Sequence, residues 1–78
     1  MAVADKIKAL LNIKSKKIYE LAEYFEMSPQ VMRNKLNKDS FSSNDLIKVA
    51  EFLDCNLAFI INDTQKIYLE KTDLKDGE

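Results

Sequence analysis

Between Pro29 and Lys38 the chain carries planar hydrogen-bonding groups at Gln30, Arg33, Asn34 and Asn37. Wound at about 100° per residue from Met32, Gln30 falls near 160°, Asn34 near 200°, Asn37 near 140° and Arg33 near 100°, so they gather on one helical face. Leu36, at about 40°, and Ser28, at about −40°, lie with Met32 on the opposite, inward side. Amide side chains can pair in bidentate fashion with adenine and guanidinium with guanine, each good pair being worth about 1–3 kcal/mol of discrimination. A helix that is merely solvated more often carries Glu and Lys than three amides and an arginine. The chemistry written on this face is therefore recognition of base edges in a major groove.

Other chemistries are poorly provided for. Gly77 is the only glycine, and loops that cradle nucleotide phosphates need glycines where backbone approaches phosphate. Histidine is absent, which removes the commonest general base and metal ligand. Cys55 alone forms neither a zinc site nor an internal disulfide, and it reads as a small core residue in a reducing, cytoplasmic setting. Glu20 and Glu23 stand i, i+3, but nothing apolar or basic surrounds them to tune a catalytic carboxyl. No catalytic residue, metal, cofactor or small-molecule ligand is implied, and the reading is of a protein that is not an enzyme. The longest apolar run, Leu57 to Ile61, falls far short of the ~20 residues that span a bilayer, and Asp5 stands where a signal peptide would be apolar.

The net charge of −1 over 78 residues hides an asymmetry. Residues 1–49 hold nine Lys/Arg and six Asp/Glu, net +3, whereas residues 50–78 hold three and seven, net −4. A basic part beside an acidic part can hide an anion-binding face from the total. Candidates for phosphate contact are Lys16, Lys17, Lys35, Asn37, Lys38 and Ser40, aided by helix N-termini whose free amides favour anions.

The elements that must position these groups follow from apolar spacing. Val3, Ile7, Leu10 and Leu11 predict a first helix over residues 2–12, with Asp5, Lys6 and Lys8 on its outer face. Ser15 reads as the N-cap of a second helix, 16–25, with Ile18, Leu21, Ala22 and Phe25 inward. Ser28-Pro29 opens a third, 28–37, since the hydroxyl caps orphan amides and proline loses nothing at the first helical position. After a turn-rich segment anchored by Phe41, Leu46, Val49, Ala50 and Leu53 mark a fourth over 43–54, with Ile47 flanking and Ser43 or Asn44 as cap. The period then changes, and strands at 57–62 and 66–71 flank a polar turn. One domain, 1–71, and a frayed acidic tail, 72–78, complete the expected organisation. Both hairpin faces are apolar, and one helical layer covers only one of them. The residues Leu57, Ala58, Phe59, Ile60, Ile61, Ile67, Tyr68 and Leu69 are therefore expected to meet a second copy, giving a homodimer.

Two short helices about a tight break, with the small Ala22 where they would cross, describe a helix-turn-helix. The segment ELAEYFEMSPQVMRNKL resembles that of the phage repressor and Cro-like family, also called the xenobiotic-response-element family, and NDLIKVAEFLDCNL is similar to the helix that follows it there. The likeness covers residues 4–60, and the NKL ending with a strand pair looks like a small phage- or mobile-element-associated subgroup. It implies a mainly α fold: a four-helix, lambda-repressor-like helix-turn-helix domain followed by a short C-terminal β-hairpin. It also implies a transcriptional regulator, repressor-like, acting as a dimer on a pseudo-palindromic site in double-stranded DNA. Because early residues of the third helix read bases in such proteins, Gln30 and Asn34 are the first candidates, then Ser28 and Arg33. The alternative is a protein-interaction module, such as an antitoxin or adaptor, with DNA binding secondary. Two positions depart from the family pattern. Lys35 stands where many members are apolar, and Glu26 stands where glycine usually takes positive φ, at a cost of about 1–2 kcal/mol for a residue with a Cβ.

Overall fold

A computed structural model of the chain describes residues 2–74. In chain order it has α1 (Val3–Ile13), α2 (Ile18–Tyr24), α3 (Pro29–Lys38), α4 (Ser43–Phe52), β1 (Leu57–Asn62), β2 (Gln65–Leu69) and a 3-10 turn, Lys71–Asp73. This is the mainly helical fold class predicted, four helices and then an antiparallel hairpin. Within the span read as one domain, contacts group into two compact units, one running to Phe41 and one starting at Ser42.

The four helices end in the same way. Ser15, Glu26, Asp39 and Asp54 have φ of 57°, 57°, 54° and 52°. In each case the next amide reaches back across the last turn: Lys16 to the Leu11 carbonyl, Met27 to Ala22, Ser40 to Lys35 and Cys55 to Ala50, at 2.8–3.2 Å. These are Schellman closures, which satisfy carbonyls that a helix end leaves open and which normally use glycine at the left-handed position. With no glycine there, the chain accepts side-chain crowding four times over. At Glu26 the left-handed turn is retained and the strain tolerated. Ser15 is corrected by the same geometry: it closes α1 and does not cap α2.

The helix starts are set by oxygen acceptors. Ser28 Oγ accepts from the Val31 amide at 3.2 Å, with Pro29 first in α3. Ser42, and not Ser43 or Asn44, caps α4: its Oγ accepts from the Asp45 amide at 3.1 Å while Asp45 accepts from the Ser42 amide at 3.0 Å. That reciprocal pair was legible as a serine followed three places later by an acid. For α2 the Glu20 carboxylate accepts from the Lys17 amide at 2.9 Å, so Glu20 is a cap and not half of a carboxylate pair.

In the first unit Ala4, Ile7, Leu11, Leu21, Ala22, Met32 and Leu36 are buried. Ala4 replaces Val3, which is 42% exposed, and Leu10 is half-buried. Ala22, fully buried, lies in the packing of α2 on α3. In the second unit Ile47, Val49, Ala50 and Leu53 are buried and Leu46 is half-buried. The expected ranking of Leu46 and Ile47 is thus reversed. Leu46 lies in the first turn, where its side chain leans toward the open N-terminal end, and Ile47 closes the edge of a stripe wider than the sequence suggested. Cys55, read as a core residue, is half-buried.

In the hairpin Leu57 pairs with Leu69, Ala58 with Tyr68, Phe59 with Ile67 and Ile60 with Lys66, and an irregularity between Ile60 and Asn62 takes Ile61 out of register. Asn62 Oδ1 makes the turn, accepting from the Thr64 and Gln65 amides and the Thr64 hydroxyl, each at 2.9 Å. Leu57, Ala58 and Leu69 are half-buried, and α4 packs on β1. Pairing stops at Leu69, short of residue 71. Thr72 and Asp73, assigned to the frayed tail, lie in the 3-10 turn, where Asp73 accepts from the Glu70 amide at 2.7 Å. Residues 75–78 of that tail lie outside the described residues.

Candidate nucleic-acid interface

The helix-turn-helix lies wholly within the unit that ends at Phe41. Its second helix, α3, is anchored by Met32 and Leu36, which are 0% and 3% exposed. That anchorage turns Gln30, Arg33, Asn34, Asn37 and Lys38 to solvent, all of them exposed. No residue of α3 is acidic. The Gln30 side-chain amide donates to Asn34 Oδ1 at 3.1 Å, an i, i+4 link along the outer face. This link orders two flexible amides before any partner arrives, so less side-chain entropy remains to be lost on binding. Ser28 is exposed and its oxygen is committed to the cap, which leaves its hydroxyl hydrogen available to donate.

Lys16, Lys17 and Arg33 come together around a cavity of about 450 Å³, whose lining also includes Lys8, Leu11, Asn12, Ile18 and Tyr19. No carboxylate lines it, and Leu11 and Ile18 contribute apolar lining beside the cationic side chains. A smaller cavity of about 180 Å³ joins Lys8, Ile18, Arg33, Leu36 and Asn37. The sequence pattern alone puts Lys8 on the outer surface of the first helix. Its position beside Arg33 depends on the packing of helices distant in sequence, for which the local pattern holds no signal.

The remaining phosphate candidates divide. Lys38 and Ser40 are exposed. Lys35 is half-buried, and its ammonium stands 5.2 Å from the centroid of the Phe41 ring, a cation–π distance. The polar substitution at Lys35 is thus accommodated by the aromatic anchor of the next loop. Tyr19 and Tyr24 are 59% and 47% exposed. Tyr24 meets Phe25 edge-on at 6.1 Å.

Charge follows the division into units. The first holds eight Lys/Arg and five Asp/Glu, net +3, and the second four and eight, net −4. The second unit carries the apolar surface: Phe59, Ile60, Ile61, Ile67 and Tyr68 are 66%, 70%, 61%, 59% and 49% exposed. Among the described residues, no helix is long and apolar enough to cross a membrane, and no cluster of three or more His, Cys, Asp or Glu is placed to hold a metal.

Comparison with known proteins finds one family. The model of the bacteriophage CI repressor helix-turn-helix domain matches residues 2–68. No curated protein and no solved structure gives a significant match.

Proposed function

The chain belongs to the bacteriophage CI repressor helix-turn-helix domain family, and so to the DNA-binding, repressor-like regulators; from that premise we propose that it binds its site as a homodimer, with α3 as the reading element. The observation that carries this reading is the solvent face of α3, where Gln30, Arg33, Asn34 and Asn37 stand together without an acid. Gln30 and Asn34 read adenine, Arg33 reads guanine, and Ser28 donates at the helix entrance. Lys16, Lys17, Lys38, Asn37 and Ser40 hold phosphates and set the register without specifying sequence. Lys8 joins them through the cavity it shares with Lys16 and Lys17. Lys35, held over Phe41, contributes as a half-buried charge.

The dimer rests on the hairpin. A two-stranded sheet is marginal alone, and five of its large apolar side chains are about half exposed or more. Pairing of two copies there would cover them and place two α3 helices in successive major grooves about 34 Å apart, matching a pseudo-palindromic site. Regulation would then follow from occupancy, by blocking polymerase or contacting it.

The same apolar hairpin favours a second reading, in which it takes a different protein, as an antitoxin or adaptor would, and DNA binding is secondary. Selection of the full chain against a random duplex library, followed by titration at several salt concentrations, separates the two. A regulator recovers one preferred sequence and loses affinity steeply as salt rises. Failure to bind any duplex at low salt would overturn the proposal.

A further inference from the structure

One exposed residue of α3 is at odds with the rest of its face. Val31 is apolar, 49% exposed, and the third residue of the helix. That position is where a side-chain carboxylate can close a reciprocal cap. Among the described residues the chain uses this device three times elsewhere, through Glu20 on the Lys17 amide, Asp45 on the Ser42 amide and Asp73 on the Glu70 amide. In α3 the Ser28 hydroxyl accepts from the Val31 amide, and valine returns nothing. A β-branched residue is also a poorer helix former than Glu or Gln. Helix stability therefore offers no reason for valine here on three counts: propensity, capping and exposure.

Its neighbours supply one. Val31 precedes Asn34 by three residues, which puts their Cβ atoms about 5–6 Å apart on the helix surface. Asn34 is already tied to Gln30, the residue before Val31. Bases along one strand are separated by about 3.4 Å, so a side chain at Val31 reaches one or two base steps from whatever Asn34 reads. Among base edges in the major groove, only thymine offers an apolar group, its 5-methyl. An acid at this position would bring a negative charge up to polyanionic DNA, whereas valine presents two methyl groups.

We infer that Val31 is a specificity-determining residue that packs on the 5-methyl group of a thymine one or two base steps from the base read by Asn34. This rests on the reading of α3 as the DNA-contacting helix. It adds an apolar contact to a face otherwise understood through hydrogen bonds.

The test uses the full chain and the duplex recovered by selection, with each thymine replaced in turn by deoxyuridine, which lacks only that methyl. Wild type should bind one uridine-substituted duplex about fourfold more weakly, the equivalent of one buried methyl-sized group. Val31→Ala should bind the thymine and uridine forms of that duplex equally. Val31→Gln should melt no lower than wild type, because glutamine can complete the cap. Equal sensitivity of Val31→Ala and wild type to uridine, or insensitivity of wild type at every thymine, would overturn the inference and leave the DNA reading standing. A marked fall in the melting temperature of Val31→Gln would also overturn it, by showing a structural role. Recovery of no duplex would remove the DNA reading and this inference together.

Discussion

The Asp39 carboxylate accepts a hydrogen bond from the backbone amide of Ala4 at 2.7 Å, across a separation of 35 residues. Asp39 is the left-handed closing residue of α3, and Ala4 belongs to the first turn of α1. One residue thus ends one helix through its backbone and, through its carboxylate, satisfies an open amide at the start of another, where the helix dipole also favours a negative charge. Removing it by Asp39→Ala should lower stability by about 1–2 kcal/mol, whereas Asp39→Asn, which keeps an acceptor, should recover part of that. Thermal melts of the two variants decide it, and equal melting temperatures for Ala and wild type would show that the bond contributes nothing.

The four left-handed residues invite a graded comparison. Glycine at Ser15, Glu26 or Asp54 removes the Cβ crowding, and each change should raise the melting temperature by about 4–8 °C for every kcal/mol gained. Asp39→Gly relieves the same crowding but loses the bond to Ala4, so it alone should fall. A fall for Glu26→Gly would mean that its side chain stabilises the turn by more than the backbone strain costs.

Base readers and phosphate holders should fail differently. Gln30→Ala and Asn34→Ala should change which sequences are preferred, each costing about 1–3 kcal/mol on the best site. Because the two side chains are hydrogen-bonded to one another, the double variant should lose less than the sum of the singles. Lys17→Ala should weaken all duplexes alike and reduce the salt slope by about one. Binding assays on a preferred and a scrambled duplex distinguish the patterns, and uniform weakening by Asn34→Ala would remove it from the reading set.

Association through the hairpin is open to a charge test. Phe59 lies opposite Ile67 in the sheet, and both are largely exposed. Phe59→Glu should leave the helical circular dichroism intact while the sedimenting species falls to a monomer. A wild-type chain that is itself monomeric at high micromolar concentration would exclude the interface.

The helical stripes were legible because Leu21, Ala22, Met32 and Leu36 repeat at helical spacing, and the third helix announced itself in Ser28-Pro29. The helix ends are less legible. Serine serves equally as a cap and as a turn residue, so the local pattern at Ser15 suggests a helix start, whereas its φ of 57° closes α1. Ser43 and Asn44 are equally plausible caps by residue type, and it is Asp45, three places after Ser42, that singles Ser42 out by completing the reciprocal bond. The groups of the site on a single helix, Gln30 with Asn34, came directly from angular spacing. Lys8 beside Arg33 and Asp39 beneath Ala4 did not, because both arise from packing between segments far apart in the chain.

The left-handed closures also say something about the gene. Every aspartate or glutamate codon becomes a glycine codon by a single A-to-G transition at its second base. Glu26 and Asp54 are therefore each one such transition from the residue that their backbone geometry favours. Among revertants of a destabilising core mutation, these two codons are where compensating changes should recur.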